Sequence, residues 1–189
     1  MDAFLVSFWW IFVAEMGDKS QLMALAFATR YRPAAVLVGI TIATAVVHLV
    51  SVVVGAVLAA QLPTDAINVL AGLAFFAFAI WTLRGDALGA GDVERAERPM
   101  RSAIIAVSVA FFLAELGDKT MLATVTLATR EGLFGTWLGS TVGMVAADAI
   151  AIGVGGALGG RLPDRAIRIG AATLFAVFGA VLLVEGLRG

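Results

Sequence analysis

Two hexads in this chain carry residues able to do chemistry together. Glu15-Met16-Gly17-Asp18-Lys19-Ser20 is matched by Glu115-Leu116-Gly117-Asp118-Lys119-Thr120, and both lie inside strongly apolar segments. Charges inside a membrane cost roughly 2.5–3.5 kcal/mol each on the insertion scale, so six of them in two matched sets point to a functional site. Glu and Asp three residues apart share one face of a helix, which lets both carboxylates reach one spot. The glycine between them permits close helix approach, or lets the helix unwind and offer backbone carbonyls to an ion. Two such helices facing each other would present Glu15, Asp18, Glu115 and Asp118, with hydroxyl oxygens from Ser20 and Thr120. An oxygen-rich site suits hard dications such as Ca²⁺, Mg²⁺ or Mn²⁺. Lys19 and Lys119 would offset the excess negative charge. Crowded carboxylates share protons when metal is absent, so metal binding would expel protons and protonation would expel metal. The competing reading is a structural salt-bridge cluster joining two helices, but apolar packing would join them at lower cost.

Other polar residues fall at equivalent places. His48 and Asp148 lie 100 residues apart in otherwise apolar segments. Either could complete a coordination shell or relay protons, although a lone helical histidine is often only hydrogen-bonded. Gln21 and Met121 form another unequal pair, directly after the hexads. A thioether from Met121 or Met23 would favour Mn²⁺ over Ca²⁺, but methionine more often simply packs. Gly39, Gly55, Gly139, Gly143, Gly153, Gly155 and Gly156 fit close helix contact. Trp9, Trp10, Trp81 and Trp137 are expected in interfacial belts.

The elements that must hold these residues follow from composition. The 189 residues are 61% hydrophobic and only 14% charged, with a mean hydropathy of +0.99. A soluble domain carries about 25% charged residues, so lipid is the solvent that makes this composition sensible. A net charge of −1 without a basic tract gives no sign of nucleic acid. The absence of cysteine excludes disulfides, thiolate zinc sites and iron–sulfur clusters. No nucleotide loop or nucleophile–base pair is present, so neither an enzyme nor a bound cofactor is expected. The start Met1-Asp2-Ala3-Phe4 lacks the basic residues of a signal peptide, and the apolar run after it reads as a retained helix.

Six apolar segments, near 3–29, 34–60, 65–83, 102–128, 133–160 and 165–186, predict six transmembrane helices. Each is long enough, or nearly so, to cross about 30 Å of hydrocarbon. Breakers separate them at Arg32-Pro33, Leu62-Pro63-Thr64, Leu162-Pro163-Asp164 and the polar stretch from Arg84 to Arg101. Loops one, three and five hold nine arginines (Arg30, Arg32, Arg84, Arg95, Arg98, Arg101, Arg161, Arg165 and Arg168), against Arg130 and Arg188 on the other side. The positive-inside rule then places the central loop in the cytoplasm and both termini outside. The acids of that loop, Asp86, Asp92, Glu94 and Glu97, read as a solvated linker.

A shift of 100 residues lays the chain on itself without a gap, with 21 of 69 positions identical from 15 to 83. Residues 1–84 and 102–189 are therefore read as two three-helix repeats joined by the linker 85–101. An odd number of helices per repeat inverts the second against the first, an arrangement common in secondary transporters. The two hexads should then face each other near the bilayer midplane.

Two copies of E-x-G-D-[KR]-[ST], one in the first segment of each half, resemble the Golgi calcium/manganese–proton antiporter family, which includes bacterial manganese exporters. The resemblance covers essentially the whole chain. It implies export of Mn²⁺, or of Ca²⁺, from the cytoplasm in exchange for protons. It also implies that Glu15, Asp18, Glu115 and Asp118 bind the cation, with Lys19, Lys119, Ser20 and Thr120 as motif partners. The long N-terminal extension of eukaryotic members is absent here, and the short length suggests a bacterial inner-membrane protein, with a homo-oligomer left open. The expected mechanism is alternating access, the halves rocking about the midplane site. A cation channel with acidic rings, an exporter of small organic cations and a membrane scaffold are the alternatives. Both Mn²⁺ and Ca²⁺ take oxygen ligands, so the sequence does not rank them.

Overall fold

The structure is a computed structural model that describes residues 2–84, 102–158 and 164–188. The linker 85–101, with its acids and Arg95, Arg98 and Arg101, lies outside those residues, as do Arg161 and the Leu162-Pro163 breaker.

The described residues form eight helices joined by short turns: α1 (Ala3–Glu15), α2 (Lys19–Ala28), α3 (Pro33–Gln61), α4 (Thr64–Arg84), α5 (Ala103–Glu115), α6 (Lys119–Ala128), α7 (Leu133–Leu158) and α8 (Asp164–Arg188). Local chemistry sets several of the boundaries. The Asp2 carboxylate accepts from the Phe4 N–H at 3.0 Å and opens α1. Pro33 sits at the start of α3, where its missing N–H costs nothing. Leu62, held extended by the proline that follows it, closes α3 at φ −115° and ψ 143°.

Among the described residues, four helices are long and apolar enough to cross a membrane: α3, α4, and the stretches Leu133–Val154 of α7 and Ile169–Arg188 of α8. The segments expected as single spans over 3–29 and 102–128 are each broken in two. Both breaks fall on the hexad glycine. Gly17 has φ 75° and Gly117 has φ 82°, a left-handed conformation that L side chains enter only at a cost. Glu15 therefore ends α1 and Asp18 precedes α2, rather than both lying on one continuous helix face.

Helix packing exchanges partners between the halves. α1 lies on α7 as α3 lies on α5; α2 lies on α7 as α3 lies on α6; α3 crosses α7, and α4 pairs with α8. Glycines allow this close approach. A Cβ on Gly39 would come within 2.7 Å of Val107 Cβ, and one on Gly139 within 2.3 Å of the Phe4 carbonyl. Trp10 departs from the expected belt. It is half-buried and joins Phe75, Phe175 and Phe178 in an aromatic cluster, its ring centre 4.3 Å from that of Phe178. Trp137 likewise anchors inward, donating from Nε1 to the Ala45 carbonyl at 2.9 Å.

The surface is inverted relative to a water-soluble protein. Leu5, Val53, Leu70, Ile80, Val177 and many other large apolar side chains are exposed, while Glu15, Asp18, Glu115, Asp118 and Asp148 are buried. Among helices this apolar, that distribution fits a membrane protein, where lipid covers the outside and polar groups turn inward.

Candidate cation site

Each hexad wraps around a helix break. At the first, the Met16 N–H donates to the Val13 carbonyl and the Asp18 N–H to the Glu15 carbonyl, closing a tight turn over Gly17. The second repeats it, with Leu116 donating to Phe112 and Asp118 to Glu115. Asp18 and Asp118 then stand at the N-cap positions of α2 and α6 with extended backbones. An N-cap aspartate ordinarily accepts from the N–H groups of its own first turn. Neither does so here; both carboxylates reach across to the other half.

The crossing is reciprocal. Lys119 Nζ pairs with Asp18 Oδ1, and Lys19 Nζ lies 3.0 Å from Asp118 Oδ1. A lysine in the first turn of a helix opposes the helix dipole, so these two positions are explained by the charges across the interface rather than by local helix stability. The pairs differ in environment. The Lys119 side chain is 4% exposed, whereas that of Lys19 is 19% exposed.

The hydroxyls engage the glutamates. Ser20 Oγ donates to Glu15 Oε1, and Thr120 Oγ1 donates to Glu115 Oε2 at 3.0 Å. The second oxygens, Glu15 Oε2 and Glu115 Oε1, are buried without a hydrogen-bond partner, as is Asp118 Oδ2. Such atoms are costly to bury unless something else satisfies them. Glu115 lies within electrostatic reach of Glu15, Asp18, Asp118 and Asp148. The expected four-acid constellation is thus assembled from both halves, together with a fifth acid. It does not form a ready-made cage, because among the described residues no three acids or histidines converge on one metal-sized seat.

The flanking residues behave unequally. Gln21 accepts from the Gly17 N–H at 2.8 Å and donates from Nε2 to the Ala147 carbonyl at 2.9 Å, fastening the first break to α7. Met121 offers only its sulfur, 3.1 Å from the Gly117 nitrogen. Asp148 is fully buried, its two carboxylate oxygens lack hydrogen-bond partners, and it lies within electrostatic reach of Glu15, Asp18 and Glu115. His48, at the equivalent place, faces Thr141 Oγ1 at 3.4 Å from Nδ1. Met23 packs in the apolar core among Ala24, Phe27 and Phe111 rather than as a sulfur ligand.

The sequence reading missed two polar partners. Thr141 was legible only as a repeated threonine, and the Ala147 carbonyl carries no side-chain signal. The crossing of lysine to aspartate was also invisible, because it depends on how the halves interleave.

Comparison with known proteins places the chain in a family. The family described as "Divalent cation/proton antiporter GDT1" matches residues 3–90 and 103–189, taking in both hexads. A protein of Vibrio cholerae serotype O1 named "Putative manganese exporter" is 32% identical over 178 residues, covering 93% of this chain and 87% of its own. A GDT1-like protein of Synechocystis sp. is 30% identical over 199 residues, covering 96% of each chain. A chloroplastic GDT1-like protein of Oryza sativa subsp. japonica is 30% identical over 207 residues; the match covers 94% of this chain but 59% of that one. No solved structure matches the chain. With both halves matched and relatives aligned over nearly its whole length, the chain belongs to the GDT1 family of divalent cation/proton antiporters.

Proposed function

We propose that this protein exports Mn²⁺, or Ca²⁺, from the cytoplasm in exchange for protons, with Glu15, Asp18, Glu115 and Asp118 binding the cation. The observation that carries this reading is the meeting of two equivalent hexads through crossed Lys–Asp pairs, in a buried place that holds five acids. Each broken helix, α1 with α2 and α5 with α6, acts as one crossing; its 26 residues span roughly 39 Å at the helical rise. That gives six crossings and inverts residues 102–189 against residues 1–84, with the central linker in the cytoplasm of a bacterial inner membrane. Ser20 and Thr120 hold the glutamates in place, and Asp148 adds a fifth carboxyl beside them. Access alternates between the two faces. The moving bodies each draw on both halves, since α1 packs on α7 and α3 on α5.

The test uses purified protein in liposomes containing a pH-sensitive dye, with Mn²⁺ or Ca²⁺ added outside. Metal uptake that saturates and drives proton efflux, and that is lost in Glu15→Gln and Asp118→Asn, supports the reading. Metal flux without pH change or saturation would favour a channel. No flux, with metal binding unaffected in both variants, would make the acids structural.

A further inference from the structure

The two lysines are the least expected members of this cluster. They bring positive charge into a place read here as a cation site, and they stand where a helix dipole disfavours them. Their geometry is specific. Each ammonium seats on an aspartate of the opposite hexad, one pair deeply buried and the other partly exposed. Around them, Glu15 Oε2, Glu115 Oε1 and Asp118 Oδ2 are buried with no hydrogen-bond partner. The acids are close enough to feel one another's charge, yet no three of them share a seat. An acidic cluster tied up in this way is a cation site with its own cations already in it.

We propose that Lys19 and Lys119 are tethered competitors of the transported dication: each ammonium occupies an aspartate that the metal requires, and the metal binds by displacing it. This rests on the paired hexads being the cation site. Displacement is an exchange of one cation for another. The ammonium keeps its proton and swings aside on its flexible stem, and no bond is made or broken. The tethered charge has two consequences. It keeps five buried acids tolerable when no metal is bound, so the empty carrier can complete its return. It also weakens metal binding enough for release on the far side. Because both pairs cross between the halves, exchanging an ammonium for a metal ion also changes what ties α2 to α6. Occupancy and conformation are thereby linked.

The experiment is Mn²⁺ binding to the full-length protein in detergent by titration calorimetry, comparing wild type with Lys19→Gln, Lys119→Gln, Lys119→Arg and Glu15→Gln. The Gln variants should bind Mn²⁺ at least about tenfold more tightly, since a positive charge a few ångströms from the metal is gone. Lys119→Arg should show no such gain. In Lys19→Ala, added methylammonium should compete with Mn²⁺ by refilling the vacated seat, and in wild type it should not. If Lys119→Gln does not fold, Lys19→Gln and the methylammonium competition carry the test, because the Lys19 side chain is less buried. Unchanged or weaker Mn²⁺ binding in well-folded Gln variants, or no methylammonium effect, overturns the proposal. If wild type binds Mn²⁺ and Glu15→Gln weakens it while Lys19→Gln gives no gain, only the competitor role fails. If wild type binds neither Mn²⁺ nor Ca²⁺, the site reading fails with it; if it binds Ca²⁺ alone, the same comparison is made with Ca²⁺.

Discussion

The two halves share a frame and differ in its furnishing. Helix bounds repeat at a shift of 100 residues for α1 and α5 and for α2 and α6, the left-handed glycines match, and the lysines cross in both directions. Beside that frame, the first break is fastened to α7 by the two hydrogen bonds of Gln21, whereas the second has only the sulfur of Met121. Asp148 adds a buried carboxyl within electrostatic reach of Glu15, Asp18 and Glu115, and its counterpart His48 faces a threonine hydroxyl instead. The frame is what a site between two repeats requires. The unequal neighbours make the two breaks chemically distinct, a difference that suits the exchange proposed above.

Substitutions can break or sharpen this contrast. The largest expected effect is symmetric: Glu15→Gln and Glu115→Gln should each lower Mn²⁺-driven proton flux by about a hundredfold or more, some 2.7 kcal/mol. A large difference between them would mean that only one hexad binds metal. The next is one-sided. Asp148→Asn should slow the same flux about tenfold (~1.4 kcal/mol), while His48→Gln stays within about twofold. Equal losses would undo the contrast. For stability, read as the melting of detergent-solubilised protein, Asp18→Asn should cost about 3 kcal/mol, since it withdraws a charge partner from a deeply buried ammonium. Asp118→Asn should cost about half of that, its lysine being more exposed. Gly17→Ala and Gly117→Ala should cost similar amounts, about 1–2 kcal/mol each, for forcing a side chain into the left-handed region. At Gly117 the space itself is open, with nothing within 4 Å of the added Cβ. The smallest contrast is at the position after Ser20 and Thr120. Gln21→Met should cost about 1 kcal/mol for the lost bond to Ala147, and Met121→Gln should stay within about 0.5 kcal/mol.

Much of this was legible in the sequence. The hexads stood out because charge inside an apolar run is expensive, and the repeat stood out because it needs no gap. Positions of α3 and α4 followed from proline breakers and uninterrupted apolar runs. The helix breaks were harder to see. An apolar run does not reveal where a backbone turns, and the i, i+3 spacing of Glu15 and Asp18 fitted a continuous helix equally well. One local signal was present: a glycine followed by aspartate marks a helix end and a new N-cap. The crossed lysine pairs had no local signal at all, since Lys19 and Asp118 meet only through the packing of α2 and α6 between α3 and α7. Trp10 misled for a similar reason. Its place near a span end suggested a lipid belt, but α4 and α8 bring Phe75 and Phe178 against it.

The exchange of partners between the halves has a consequence for symmetry. Among the described residues, nearly every extensive helix contact of one half is made with the other, so a lone half has little core of its own. Such a unit, standing alone, would need a second copy of itself to complete its core. In that pair every position would have been duplicated by necessity: two glutamines or two methionines, two histidines or two aspartates. Two copies within one chain are free of that constraint. Gln21 with Met121, and His48 with Asp148, are combinations that a single gene encoding identical subunits could not have written.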